Sequence, residues 1–145
     1  MRIFLGSSKE SVDQMREVAS WLESVAGVEA IPWDSPDLFP PGVNTLDALI
    51  RISRTVDAAV FIFAEDDTVW YRSDMSRQPR DNVLIEYGLF LGKRGAKRAI
   101  IARSGSPKTP VDLLGMTVVD VSPSKKNRAQ IILKTWAQNL GNRAY

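Results

Sequence analysis

A doubly wound α/β fold built on five parallel strands is the architecture this sequence predicts, and three observations predict it. Short runs of Ile, Phe, Leu and Val alternate along the chain with longer stretches whose apolar residues recur at helical spacing. The middle run, Ala58-Ala59-Val60-Phe61-Ile62-Phe63, is apolar at every position, as a strand covered on both faces must be. With 145 residues, 44% of them hydrophobic and 25% charged, the chain suits a single globular domain with a substantial core.

Arg2-Ile3-Phe4-Leu5 is the first strand and ends in Gly6-Ser7-Ser8. Val12, Met15, Val18, Ala19, Leu22 and Val25 then recur at helical spacing. Ser7 with Glu10, and Ser11 with Gln14, each fit a capping box, so helix initiation is the first reading of these serines; contact with a ligand beyond the strand's carboxyl end is the second. Neither GxGxxG nor GxxxxGK[ST] follows the strand, which argues against a dinucleotide held as a cofactor in the Rossmann manner and against an NTP on a P-loop. Val28 to Trp33 is a second strand, placed at an edge by Pro32. It runs into a long loop, Asp34 to Gly42, stiffened by Pro36, Pro40 and Pro41. Trp33 and Phe39 there offer either a flat aromatic wall for a base or pyridine ring, or a lid on the core.

Asn44 or Thr45 starts the next helix, with Leu46, Leu49, Ile50 and Ile52 on its inner side. The apolar run 58–63 is the third strand and ends in Glu65-Asp66-Asp67, three acids that suit either a divalent cation or, with no regular ligand spacing elsewhere, a solvated loop. The polar segment Thr68 to Pro79 reads as a flap over the site or a surface loop. Ala99 to Ala102 and Thr117 to Asp120 are the fourth and fifth strands, separated by a Ser/Gly/Pro loop with a turn at Val111-Asp112-Leu113-Leu114-Gly115. A last amphipathic helix follows Ser122 or Ser124, with Ile131, Ile132, Thr135, Trp136 and Leu140 as its apolar side. Five strands alternating with helices give the flavodoxin-like order 2-1-3-4-5, in which ligands bind beyond the carboxyl ends of the strands.

Between the third and fourth strands, Arg80-Asp81-Asn82-Val83-Leu84-Ile85-Glu86-Tyr87-Gly88-Leu89-Phe90-Leu91-Gly92 sets one carboxylate inside an apolar helix. One turn back from Glu86 lie Asn82 and Val83, and one turn on lie Leu89 and Phe90. Asp81 or Asn82 is positioned to cap this helix. A carboxylate so walled is either a tuned active-site group or a glutamate at the core's edge bonded to backbone or arginine.

The chain has no histidine and no cysteine, which removes thiol nucleophiles, histidine-based triads, the usual zinc ligands and imidazole acid/base catalysis. A catalyst here works with carboxylates, hydroxyls, Lys or Arg. The net charge is +2, and the basic residues are spread out apart from short clusters at 93–98 and 125–128, so nucleic acid is not the expected partner. Strand-like residues begin directly after Met1 and no apolar run approaches twenty residues; the expectation is a soluble, cytoplasmic protein without membrane contact.

From Arg2 to about Asp120 the sequence resembles the bacterial TIR-like domains of the predicted nucleotide-binding kind, the effector domains of TIR-STING and Pycsar TIR antiphage proteins. The likeness rests on Ile3-Phe4-Leu5-Gly6-Ser7-Ser8, on the Trp33 to Gly42 loop followed by Thr45-Leu46, and on Phe61-Ile62-Phe63 with Asp66-Asp67. It extends to Arg80-Asp81-Asn82-Val83 through Gly92, which is the specific motif, and to Asp112 through Thr117. The resemblance implies cleavage of NAD+ to nicotinamide and ADP-ribose, with Glu86 catalytic and NAD+ as substrate rather than cofactor. It also implies activity on stacking into oligomers or filaments through TIR–TIR contacts, under a cyclic-nucleotide sensor. The 145 residues leave no room for a sensor after Asp120, so the expectation is a single TIR-like domain that belongs to a longer chain or answers to a separate partner.

The residue inventory suits that chemistry. An ordinary glycosidase needs one carboxyl group to protonate the leaving group and another to meet the oxocarbenium ion. The nicotinamide of NAD+ is already cationic and leaves neutral, so one positioned carboxylate suffices. In this assignment Ser7 or Ser8 contacts ribose or phosphate, Trp33 stacks on a ring with Phe39 beside it, and Arg80 faces the pyrophosphate. Asp81 and Asn82 border the site and orient Glu86. Two other classes compete. A nucleoside 2-deoxyribosyltransferase-like enzyme would share the sheet and the glutamate, although its usual Gly-Thr between aspartate and glutamate is missing. A non-catalytic TIR adaptor or nucleotide-binding module would need no half-buried acid.

Overall fold

The alternation read from the sequence becomes, in a computed structural model that describes residues 1–113 and 115–142, a three-layer α/β/α unit. In chain order its elements are β1 (Arg2–Gly6), α1 (Val12–Glu23), β2 (Glu29–Pro32), α2 (Thr45–Thr55), β3 (Ala58–Phe63), β4 (Asp67–Tyr71), β5 (Asp74–Gln78), α3 (Asp81–Arg94), β6 (Ala99–Arg103), β7 (Val118–Asp120) and α4 (Lys126–Asn142). The main sheet runs β2-β1-β3-β6-β7, all parallel, which is the predicted 2-1-3-4-5 order once only its own strands are counted.

Successive side chains of a strand face opposite sides, and the two cores divide accordingly. Ile3, Leu5, Val60, Ile62, Ile100 and Ala102 meet α1 and α4 on one face. Phe4, Ala59, Phe61, Phe63 and Ile101 meet α2 and α3 on the other. On that second face the rings of Phe4 and Phe90 stack at 4.8 Å, while Phe61 and Phe63 meet Tyr87 edge-on at 5.8 and 5.4 Å. The Tyr87 hydroxyl donates to the Ala99 carbonyl at 3.3 Å. These contacts fix the rotation of α3 about its own axis.

Gly6 makes that aromatic cluster possible. It pairs with Phe61 across the β1–β3 ladder, and a Cβ at position 6 would lie 2.4 Å from Phe61 Cε1. Phe61 is wholly buried and wedged against Phe4, Tyr87 and Phe90, so it has nowhere to go. Gly6→Ala is expected to destabilise the fold by about 1–3 kcal/mol through overpacking, read as a lower urea midpoint at unchanged slope.

Several sequence expectations are corrected. The polar segment 68–79 is not an irregular loop: β4 and β5 pair as an antiparallel hairpin outside the main sheet, and Arg72 and Ser73 turn it with φ of 48° and 65°. On α2, Asn44 is the cap, accepting from the amides of Leu46 and Asp47, but Leu46 is exposed and Ala48 joins Leu49 and Ile52 on the buried side. On α4 the buried stripe is Ala129, Leu133, Ala137 and Leu140; Ile131, Ile132 and Thr135 face outward and Trp136 is half-buried, donating to the Lys97 carbonyl. The capping boxes at Ser7 and Ser11 do not form, because a 3-10 turn at Lys9–Ser11 precedes α1 and neither Ser8 nor Ser11 caps through its side chain. Leu114, part of the expected turn after Val111, lies outside the described residues. Among the described residues no helix is long and apolar enough to cross a membrane.

Candidate active site

The carboxyl ends of β1 and β2 and the start of α3 enclose a cleft of about 410 Å³. Its position is the one expected of a doubly wound sheet, beside the β1–β3 switch point where successive crossovers pass to opposite faces. Glu86, Asn82 and Val83 come from α3, Ser7 and Ser8 from the end of β1, Trp33 from the end of β2, and Phe39 from the proline-rich loop. Arg80 joins them, so every site residue foreseen from the sequence except Asp81 lines the cleft. Lys9 and Thr45 also line the cleft; neither is among the site residues expected from the sequence, which places Thr45 only at a helix start. Asp81 is not brought to the cleft. It is exposed at the first position of α3, where its carboxylate accepts from the Asn82 amide at 2.7 Å.

Glu86 is half-buried, set at the margin of the face where Val83, Tyr87 and Phe90 go into the core. Burial pushes its carboxyl up from an ordinary 4.5 to about 7. The competing reading of this residue needed a backbone or arginine partner. The nearest arginine in sequence is otherwise engaged: Arg80 bonds both Glu10 oxygens, at 2.9 and 3.0 Å, and Asp67 at 3.1 Å. The same arginine holds the Glu10 carboxyl below its usual range.

The opposite wall is a chain of hydroxyls. Trp33 Nε1 donates to Ser7 Oγ at 2.8 Å, and Ser7 Oγ donates to the Ser8 carbonyl at 2.8 Å. Trp33 is thereby fixed in orientation, with its ring packed partly on both cores and partly on the cleft. Ser8 Oγ donates to Asp66 at 2.7 Å. After β3 Glu65 is exposed, whereas Asp66 and Asp67 are bonded to the two sides of the cleft; among the described residues no cluster of three or more His, Cys, Asp or Glu is arranged to hold a metal. α3 itself starts at Arg80 without a side-chain cap, so the expected capping by Asp81 or Asn82 is replaced by a bond from the Arg80 amide to Asp66 at 3.2 Å.

The arrangement offers one desolvated carboxyl group, an aromatic wall, two serines and a lysine around a cleft large enough for part of a nucleotide. The pattern of the CAP12/Pycsar effector protein TIR domain matches residues 2–123. The chain belongs to that family. It is 38% identical over 117 residues to CD-NTase-associated protein 12 of Sphingobacterium faecium, covering 81% of this chain and 35% of that protein. It is 35% identical over 132 residues to the Pycsar effector protein BcPycTIR of Burkholderia cepacia, covering 88% of this chain and 42% of that one. The family member thus spans well under half the length of these curated relatives. Among solved structures, a flavodoxin-like domain from a Synechococcus protein superposes with a TM-score of 0.50 at 12% identity, covering 97% of this chain and 96% of that one, a likeness of fold alone.

Proposed function

We propose that this TIR domain is an NAD+ glycohydrolase that releases nicotinamide and ADP-ribose, with Glu86 as the catalytic carboxylate, and that it acts as the effector of a cyclic-nucleotide-triggered antiphage system. The observation that carries the reading is the half-buried Glu86 carboxyl in the cleft at the sheet's carboxyl edge, with no ion-pair partner among the described residues. An unneutralised acid in a desolvated wall is poorly placed for the fold and well placed for a cationic substrate. The nicotinamide ring supplies the missing positive charge on binding, and the ribosyl oxocarbenium ion supplies it again as the glycosidic bond breaks. The C–N bonding pair leaves with neutral nicotinamide, and water adds to the ribosyl carbon, giving up a proton to leave ADP-ribose. Glu86 either stabilises the cation electrostatically or bonds to it transiently before hydrolysis.

Trp33, anchored through Ser7, stacks on a ring of the substrate, and Phe39 borders it. For the diphosphate the better-placed cation is Lys9, which lines the cleft and has no ion-pair partner among the described residues. Arg80 would first have to release Glu10 or Asp67. Lys9→Ala is expected to raise the KM for NAD+ about three- to tenfold with kcat nearly unchanged, the signature of a contact made equally in ground and transition states. Initial rates of nicotinamide release against NAD+ concentration measure both.

The test of the function is nicotinamide release from NAD+ by purified protein at high concentration with a molecular crowder, wild type beside Glu86→Ala. Assembly into an oligomer belongs to this reading, and rates rising faster than linearly with protein concentration would accompany it. Turnover by the wild type alone supports the assignment. Turnover by both would place the catalytic group elsewhere, and a forcibly oligomerised wild type that binds NAD+ without cleaving it would favour a nucleotide-binding module.

A further inference from the structure

We infer that Asp66 is the positioning residue of this cleft, a single carboxylate that ties the serine wall to the helix carrying Glu86 and so sets the distance between them. The inference rests on Glu86 being the reactive group, but its geometry stands independently of the substrate. Asp66 Oδ1 accepts from Ser8 Oγ at 2.7 Å and more weakly from Ser11 Oγ at 3.4 Å, which fastens it to the segment following β1. Its other oxygen, Oδ2, accepts the backbone amide of Arg80 at 3.2 Å, at the start of α3.

Each end of this bridge is short of alternatives. Ser8 is 3% exposed, so its hydroxyl has little access to water if Asp66 is lost. Arg80 occupies the cap position of α3 and brings no side-chain cap of its own, so Asp66 supplies negative charge where the helix dipole is positive. The adjacent Asp67 holds the Arg80 guanidinium, so one dipeptide grips the same residue by backbone and side chain. From Arg80 to Glu86 the connection is a rigid helix about 9 Å long, at 1.5 Å per residue. A displacement of the helix start is therefore carried directly to the Glu86 carboxyl. Asp66 does not itself line the cleft but is hydrogen-bonded to Ser8 and Arg80, which do; that makes it a positioning residue and not a catalytic one.

Asp66→Ala tests this by removing both acceptors. The buried Ser8 hydroxyl and the Arg80 N–H then lose their shared partner, and nothing ties the helix start to the serine wall. The first readout needs no substrate: the Glu86 side-chain carboxyl is titrated by carbon-13 NMR in wild type and variant. The expected result is a midpoint displaced downward from about 7 in the variant, as the loosened cleft admits water. An unchanged midpoint in a folded Asp66→Ala protein would overturn the inference, whatever the enzyme's substrate. The second readout is steady-state nicotinamide release, where kcat is expected to fall roughly 10- to 100-fold with KM within about threefold, since about 1 Å of misplacement costs that much. If the wild type itself releases no nicotinamide under assembly conditions, the NAD+ reading fails while the titration still judges Asp66. Should Asp66→Ala not fold, Asp66→Glu decides: it keeps both acceptors and lengthens the bridge by one methylene. A wild-type titration in that variant would sink the proposal, and a displaced one would support it.

Discussion

Glu86→Gln is expected to abolish nicotinamide release, lowering kcat by about a thousandfold or more while weakening the binding of NAD+ by a smaller factor. The size follows from what the amide lacks. Electrostatic stabilisation of a developing charge in a desolvated site is worth about 3–4 kcal/mol for a single neutral donor, and an opposite full charge at a reacting cation is worth no less. Glutamine keeps the volume and removes the charge, so the loss falls on the transition state more than on the ground state. The pH dependence of the wild type checks the same assignment without mutation. Glu86 must be ionised to act, so kcat/KM should fall on acidification through an apparent pKa of about 7, that of the empty cleft. The acid limb of kcat should lie lower, because bound nicotinamide carries the cation that favours the carboxylate. Rates measured against pH at low and at saturating NAD+ give the two limbs. Two coincident limbs at an ordinary carboxylate value would mean that the group governing turnover is not Glu86.

The site was more legible in the sequence than its supports were. Ser7, Ser8, Trp33, Phe39, Asn82 and Glu86 could be gathered because each lies at or just beyond a strand's carboxyl end or one turn into a helix, and strand order alone decides which ends are neighbours. Continuous apolar strands such as 58–63 announce themselves, since nothing else tolerates burial on both faces. The hairpin of β4 and β5 was hidden by the opposite circumstance. It is largely solvent-exposed, so no alternation marks it, and its turn uses Arg72 and Ser73 where Asn-Gly would have signalled a two-residue loop. The buried stripe of α4 was missed because Ile131 and Ile132 compete in hydrophobicity with Ala129 and Ala137, and small residues are chosen where the helix approaches the sheet closely. Capping failed for a reason of register: Ser7-x-x-Glu10 is a capping box only if the helix starts at once, and a 3-10 turn intervenes. Asp66 was the least legible of all. Its partners Ser8 and Arg80 are 58 and 14 residues away, and no local pattern distinguishes a bridging carboxylate from a solvated one.

The same burial that prepares Glu86 for catalysis should cost the fold stability, and the sign can be worked out. In the unfolded chain the carboxyl titrates near its ordinary 4.5, and in the native protein near 7. Between those values the native state holds a proton that the unfolded state has lost, so stability falls as pH rises across the window. Below 4.5 the group is neutral in both states and the penalty is absent; above 7 it is ionised in both and the penalty is complete. At about 1.4 kcal/mol for each factor of ten in the ionisation equilibrium, the full effect is about 3 kcal/mol, a large share of the 5–15 kcal/mol typical of a small domain. Glu86→Gln presents a neutral group of the same shape at every pH. It should therefore match the wild type near pH 4.5 and exceed it by about 2–3 kcal/mol above pH 8, measured as urea denaturation midpoints of the two proteins at both pH values. The other carboxylates are common to both proteins and cancel in the difference. A constant gap between the two curves would mean that Glu86 titrates as an ordinary surface acid, and the argument from desolvation to catalysis would go with it. A gap that opens with pH would identify the least stabilising carboxylate of the α3 helix as the one kept for chemistry, since an acid serving the fold would be retained where it strengthens the native state.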